Sequence, residues 1–165
     1  MTADSFVKKL AQAVQSASHD RHKLILVLGT FGSGKTQLLQ TTSEAIEGAY
    51  VNLNLALTNR LRQLPRSRYA DGVTVHTEID KLCEEQSQHG RPLFIDNVEL
   101  LFSPELGKVN PVDTFKRIAR QRPVVLALPA RRDGSFAEYA TVGRADYLRM
   151  EIGDYIIIEL ENTPT

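Results

Sequence analysis

The sequence is poor in several things, and each shortage closes off a class of protein. One cysteine, Cys83, stands in 165 residues, so no intramolecular disulfide can form. No apolar run reaches the roughly 18 residues that a membrane-spanning helix needs, and no signal peptide pattern is visible. The expected location is cytoplasmic, with no membrane partner. The 20 basic and 20 acidic residues cancel to a formal net charge of zero. A free-standing nucleic-acid binder depends on excess Lys and Arg, so that class is disfavoured. Zero charge also leaves little self-repulsion, which points to assembly. The four histidines, at 19, 22, 76 and 89, lack H-x-x-x-H metal spacing. Cys83 is expected on the apolar face of a helix, as a small buried hydrophobe. No repeat or low-complexity segment interrupts the chain.

What is present is an ordinary globular composition, 42% hydrophobic and 24% charged, around one distinctive stretch. Gly29 to Thr36 reads GTFGSGKT, the G-x-x-x-x-G-K-T spacing of a phosphate-binding loop. An unbroken apolar run, Leu24 to Leu28, precedes it, as expected of a strand buried on both faces of a parallel sheet. Leu38, Leu39, Thr42, Ala45 and Ile46 follow at helical spacing, with Gly48 a suitable stop. The glycines Gly29, Gly32 and Gly34 admit backbone conformations closed to other residues. The amides from Gly32 through Ser33, Gly34, Lys35 and Thr36 to the start of the helix at Gln37 can then face phosphate oxygens. Lys35 is expected to reach the β- and γ-phosphates of a nucleotide such as ATP, and the Thr36 hydroxyl to bind Mg²⁺.

The rest of the chain alternates. An amphipathic helix is expected over residues 4–17, with Asp4 a possible cap. Strands are expected at Ala49 to Leu53, Leu93 to Ile95, Val124 to Leu128 and Tyr155 to Leu160. Helices are expected around Leu57, Leu61 and Leu64, with Asn54 as cap, around Val75, Ile79, Leu82 and Cys83, and after Asn110-Pro111. Leu148, Met150 and Ile152 alternate with charged residues, so residues 133–152 read as a half-exposed strand or hairpin arm. The expected fold is a three-layer α/β/α sandwich with a mainly parallel sheet, residues 1–165 forming a single P-loop domain.

A P-loop needs a carboxylate on another strand to hold its metal. Asp96, at the end of Leu93-Phe94-Ile95, is the candidate, far enough from Lys35 to leave room for an intervening strand. That extra strand is the pattern of the additional-strand P-loop ATPases. Hydrolysing members carry Glu directly after the Asp; this chain has Asn97 there, a poor proton acceptor. Glu99 stands two residues later. It either orients the attacking water or faces solvent at the start of a short helix, Glu99 to Phe102. Slow hydrolysis is the expectation. Arginines cluster at 60, 62, 66 and 68 and at 117, 120 and 122. Both groups read as solvated faces offset by acids, or as contacts to DNA, to an acidic surface or to a neighbour's nucleotide. Arg131 and Arg132, after the fourth strand, are candidates to touch phosphate.

The segments GTFGSGKTQLL, YVNLNLALTNRLRQLP and PLFIDNVELLFSPEL, with the arm from Asp133 onward, resemble the small P-loop proteins of type 3 BREX phage-defence systems, the BrxF family. The resemblance spans Leu24 to Leu160. It implies a bacterial defence component working beside a larger ATPase, a methyltransferase, a helicase and an alkaline-phosphatase-like protein. Nucleotide residues carry over as Gly29, Gly34, Lys35, Thr36 and Asp96. A homo-oligomer is expected, with DNA contact only inside such a complex. A small-molecule or nucleotide kinase is the alternative, though no acceptor pocket or arginine-rich lid is evident. The GTPase reading is weakest, because D-x-x-G after the Asp96 strand and [NT]-K-x-D are both missing.

Overall fold

The computed structural model describes residues 2–21, 23–68, 72–86 and 90–160; His22 and His89 lie outside them. Five strands form one parallel sheet: β1 (Leu24–Leu28), β2 (Ala49–Asn52), β3 (Leu93–Asp96), β4 (Val124–Leu128) and, last in the chain, β8 (Ile156–Glu159). Their spatial order is β2-β3-β4-β1-β8. β4 therefore separates β1, which feeds the glycine loop, from β3, which carries Asp96. This is the additional-strand arrangement, although the strand that falls between loop and acid in sequence is β2, at the sheet edge, and the one between them in space is β4.

Alternation along the central strands sorts the core into two layers. Leu24, Leu26 and Leu28 of β1, with Val124, Leu126 and Leu128 of β4, face α3 (Leu53–Leu61), α4 (Gly72–Glu85) and α5 (Pro111–Ile118). Ile25 and Val27, with Val125 and Ala127, face α1 (Ala3–Ala17) and α2 (Lys35–Ala45). All five residues of β1 and of β4 are buried, which is why these segments read as continuous apolar runs. The result is the α/β/α sandwich expected. Among the described residues, no helix is long and apolar enough to cross a membrane.

Helix starts show how the sequence sets local structure, and correct two expected caps. α1 is capped by Thr2, whose hydroxyl accepts from the Ser5 amide at 3.2 Å; Asp4 sits inside the first turn. α3 is capped by Asn52, whose side-chain oxygen accepts from the Leu55 amide at 3.2 Å. Asn54 is thereby released for another task. α5 begins as expected: the Asn110 side chain accepts from Val112 and Asp113, and Pro111 occupies the first turn. Such a cap contributes about 1 kcal/mol.

The arm is more than a hairpin. β5 (Arg131–Asp133), β6 (Phe136–Tyr139) and β7 (Leu148–Glu151) make a three-stranded antiparallel sheet between β4 and β8. Ala137, Met150 and Ile152 join the α3–α5 core layer. Tyr139 stacks on Phe102 with ring centroids 3.9 Å apart and planes 10° off parallel, a contact worth about 0.5–1.5 kcal/mol beyond burial. Because Phe102 closes the turn that follows Asp96, the stack ties the arm to the segment beside the glycine loop.

One arginine of each group meets acids. Arg60 on α3 bonds Glu78 and Glu85 of α4, each at 2.9 Å. Arg117 on α5 makes a two-point contact with Asp80 of α4, at 2.8 and 3.0 Å. Arg122 is different: its Nε and Nη1 are buried without a protein partner among the described residues.

Cys83 is buried on α4, and burial pushes its thiol up to about 12. The thiolate is the reactive form, so Cys83 should resist iodoacetamide at pH 8 in the native chain and label readily in denaturant. Rapid native-state labelling, followed by mass, would contradict this packing.

Candidate functional site

The loop from Gly29 to Gly34 leaves the C-terminal end of β1, where the Gly29 amide donates to Leu128 O at 3.2 Å and the Leu160 amide to Leu28 O at 2.7 Å. Gly32 and Gly34 adopt positive φ, 78° and 93°. A Cβ at Gly29 would run into the Ser33 side chain and approach Leu160 O. The three glycines therefore meet distinct demands, two of backbone hand and one of space.

Lys35 bends back over the loop. Its ammonium donates to Gly29 O at 2.7 Å and Thr30 O at 2.9 Å, with Ser33 Oγ at 3.4 Å. Burial lowers its pKa from the ordinary lysine value, opposed by the charges of Asp96 and Glu99.

The parallel pairing of β2, β3 and β4 carries Asp96 to the same end of the sheet. The residue is buried, 3% exposed. Oδ2 accepts from the Thr36 hydroxyl at 2.6 Å and from the Tyr50 hydroxyl at 2.7 Å, and Oδ1 from the Asn97 amide at 2.9 Å. The structure thus brings Lys35, Thr36 and Asp96 together, as their motif spacing suggested. Tyr50 is the addition. It stands on β2, and its pKa is raised above the ordinary tyrosine value, first by burial and then by Asp96. Nothing in its sequence position marked it as more than a strand residue.

Glu99 opens a short 3₁₀ turn, Glu99–Phe102, but it does not simply face solvent. Its Oε2 accepts from Asn54 Nδ2 at 3.0 Å. The same Asn54 side chain accepts from the Leu100 amide at 2.9 Å, and the Asn54 amide donates to Asn97 O at 2.9 Å. Asn54 is therefore a three-point clamp on the 97–100 turn. Asn97, held at φ 56°, provides the bend that lets the chain turn back onto Asn54. Asn is among the residues that tolerate this conformation best.

These residues line one open cavity of about 630 Å³, with Lys35, Thr36, Gln37, Asp96, Asn97 and Glu99 in its wall. A second hollow of about 460 Å³ shares Glu99 and places it across from Arg144 and Asp146 of the arm. Arg131 and Arg132 line a third hollow beside Gly29 and Thr30; Arg132 is 3.6 Å from Glu159. Arg117, Arg120 and Arg122 precede β4, at the opposite end of the sheet from the loop.

The residues fit a magnesium-bound polyphosphate. Mg²⁺ prefers hard oxygen ligands and is commonly held by one or two carboxylates together with substrate phosphates. The Asp96–Thr36 pair supplies one carboxylate and one hydroxyl. No group of three or more His, Cys, Asp or Glu that could hold a metal by itself occurs among the described residues. Fold and loop together define the class: an α/β P-loop fold with the additional strand between loop and acid.

No protein-family model matches the sequence, and no curated protein matches it. Among solved structures, PCH-2 of C. elegans is similar over 98% of this chain and 43% of its own, at 16% identity and a TM-score of 0.49. This chain spans under half of that structure, and a likeness at this level adds nothing to the strand order and loop geometry above.

Asn54→Ala should strand the Leu100 amide and one Glu99 oxygen. The expected loss is about 1–3 kcal/mol, read as a lower urea midpoint at unchanged slope. An unaltered midpoint would show that the clamp is not a stabilising contact.

Proposed function

We propose that this chain binds ATP with Mg²⁺ at the glycine loop and hydrolyses it slowly. The observation that carries this reading is the 2.6 Å bond between Thr36 and Asp96, formed beside an ammonium already turned into the loop. Lys35 would place a positive charge on the terminal phosphates, and the loop amides would cradle their oxygens. Thr36 and Asp96 would hold the metal, whose chemistry is to withdraw charge from the transferring phosphate. Asp96 is poised for this because Tyr50 and the Asn97 amide keep its carboxylate aimed at Thr36.

Glu99 is the group that would orient water. Its carboxylate lines the phosphate cavity, and Asn54 fixes one of its oxygens. Asn97 offers no proton-accepting side chain in its place. A water-orienting acid reached only through a turn, and held by an amide, supports low turnover.

The wider reading is a component of a bacterial antiphage assembly of the BREX kind, acting as a nucleotide-controlled motor or switch. It is supported by the resemblance in the loop, the Asn52 to Pro65 stretch and the Asp96 to Phe102 turn. A larger ATPase and a methyltransferase are the proposed partners, beside further copies of this chain. An arginine from a neighbour would complete such a site, since a finger of this kind is worth ~10³ to 10⁵ in rate. Arg120 and Arg122 could serve only another chain's loop, given their place at the far end of the sheet. Arg131 and Arg132 stand beside their own.

Three measurements test these statements. Lys35→Ala should lower Mg²⁺-ATP affinity at least about tenfold by calorimetry, with the fold retained; unchanged affinity would remove the loop from the account. Glu99→Gln should keep the nucleotide and abolish residual release of labelled phosphate. Label arriving on an added acceptor instead would establish the kinase alternative. Finally, mixing a Lys35→Ala chain with an Arg120→Ala/Arg122→Ala chain, each inactive alone, should restore part of the activity, whereas an Arg131→Ala/Arg132→Ala chain should not be rescued if those arginines serve their own loop. No recovery despite demonstrated co-assembly would exclude a finger supplied in trans.

A further inference from the structure

Tyr50 belongs neither to the glycine loop nor to the strand that carries the acid, yet its hydroxyl joins the Thr36–Asp96 pair. In the pairing of β2 with β3, Tyr50 lies opposite Phe94 and Asn52 opposite Asp96. Phe94 and Asp96 are two residues apart and so share a face of their strand. Tyr50 therefore stands one diagonal step from Asp96. Its long side chain spans that step and ends 2.7 Å from Oδ2, while the residue packs against the α1–α2 core layer.

An ionised carboxylate offers about four lone-pair sites, about two on each oxygen. On Asp96, Oδ2 accepts from Thr36 at 2.6 Å and from Tyr50 at 2.7 Å, so both of its sites are taken. Oδ1 accepts from the Asn97 amide at 2.9 Å and, among the described residues, keeps a site to spare. The Thr36 bond comes with the loop; the Tyr50 bond is what fills Oδ2. Asp96 can then meet a cation through one oxygen but not through both. That difference separates two cations of equal charge. Mg²⁺ demands near-octahedral geometry at about 2.0–2.1 Å and keeps several waters beside one or two carboxylates. Ca²⁺ takes about 6–8 oxygens at about 2.3–2.6 Å and can grip a carboxylate by both of its oxygens.

We infer that Tyr50 determines metal specificity: by occupying Oδ2 it confines Asp96 to contact through one oxygen, and so favours Mg²⁺ over Ca²⁺ as the ion carried with ATP. Tyr50 acts through Asp96 and is a positioning residue. The inference rests on the nucleotide reading of the loop. It gives β2, the edge strand of the sheet, a part in choosing the cation.

The test is calorimetry on the whole chain with Mg²⁺-ATP, Ca²⁺-ATP and ATP in excess EDTA. The native chain is compared with Tyr50→Phe, which removes the hydroxyl and keeps the ring. A second variant, Tyr50→Met, fills much of the same space without a donor. The native chain should bind Mg²⁺-ATP more tightly than Ca²⁺-ATP. Both variants should narrow that preference about tenfold, chiefly by tightening Ca²⁺-ATP, with the affinity for metal-free ATP unchanged. A part in packing alone would weaken all three ligands alike and leave the preference where it was; that result would overturn the inference. Equal binding of the two metal complexes by the native chain would overturn it without any variant. In both cases the loop reading stands. If the native chain binds none of the three, both readings fall together.

Discussion

The carboxylate of Asp96 joins three parts of the molecule. Thr36 reaches it from the first turn of α2 and Tyr50 from β2, both to Oδ2, while the backbone of the following turn closes on Oδ1. A carboxylate on a buried residue needs such partners, because an unpaired buried charge is costly. The convergence depends on the order of the sheet. β4 must lie between β1 and β3, so that the helix after the loop spans back across to the acid.

Around this junction the chain builds outward by constraint. The bend at Asn97 leads the backbone to Asn54, whose side chain accepts a hydrogen bond from the Leu100 amide and donates another to Glu99. The turn ends in Phe102, and Phe102 stacks on Tyr139 of the arm. From the acid to the antiparallel arm, then, there is an unbroken series of contacts through one short turn. Glu99 is the polar member of that series, bordered by the phosphate cavity on one side and by Arg144 and Asp146 on the other.

Much of this was legible in the sequence, for physical reasons that differ by element. β1 and β4 are buried on both faces, so their apolar runs are unmistakable. The loop is legible because its backbone admits so few residues at Gly29, Gly32 and Gly34. Asp96 was legible as an acid closing an apolar strand, and Asn110-Pro111 as a helix start. What sequence reading missed depends on contacts across the chain. Asn52 and Asn54 are equally good caps by residue type, and the structure chooses Asn52 because Asn54 is needed by the turn some 45 residues later. Tyr50 looks like any strand aromatic until β2 pairs with β3. The arm's third strand, Arg131–Asp133, is short, polar and exposed, with no alternation to announce it. Arg117 belonged to a group of candidate fingers, and only the α4–α5 packing reveals its commitment to Asp80.

The account's central claim is that Asp96 and Thr36 form the metal half of a nucleotide site. Electron paramagnetic resonance of Mn²⁺, substituted for Mg²⁺ in the presence of ATP, tests it most directly. The native chain should shift the spectrum of Mn²⁺-ATP to that of a protein-bound ion, and Asp96→Asn, a nearly isosteric change, should leave the free Mn²⁺-ATP spectrum or a distinctly altered bound one. Identical bound spectra from the native and Asp96→Asn chains would contradict the claim.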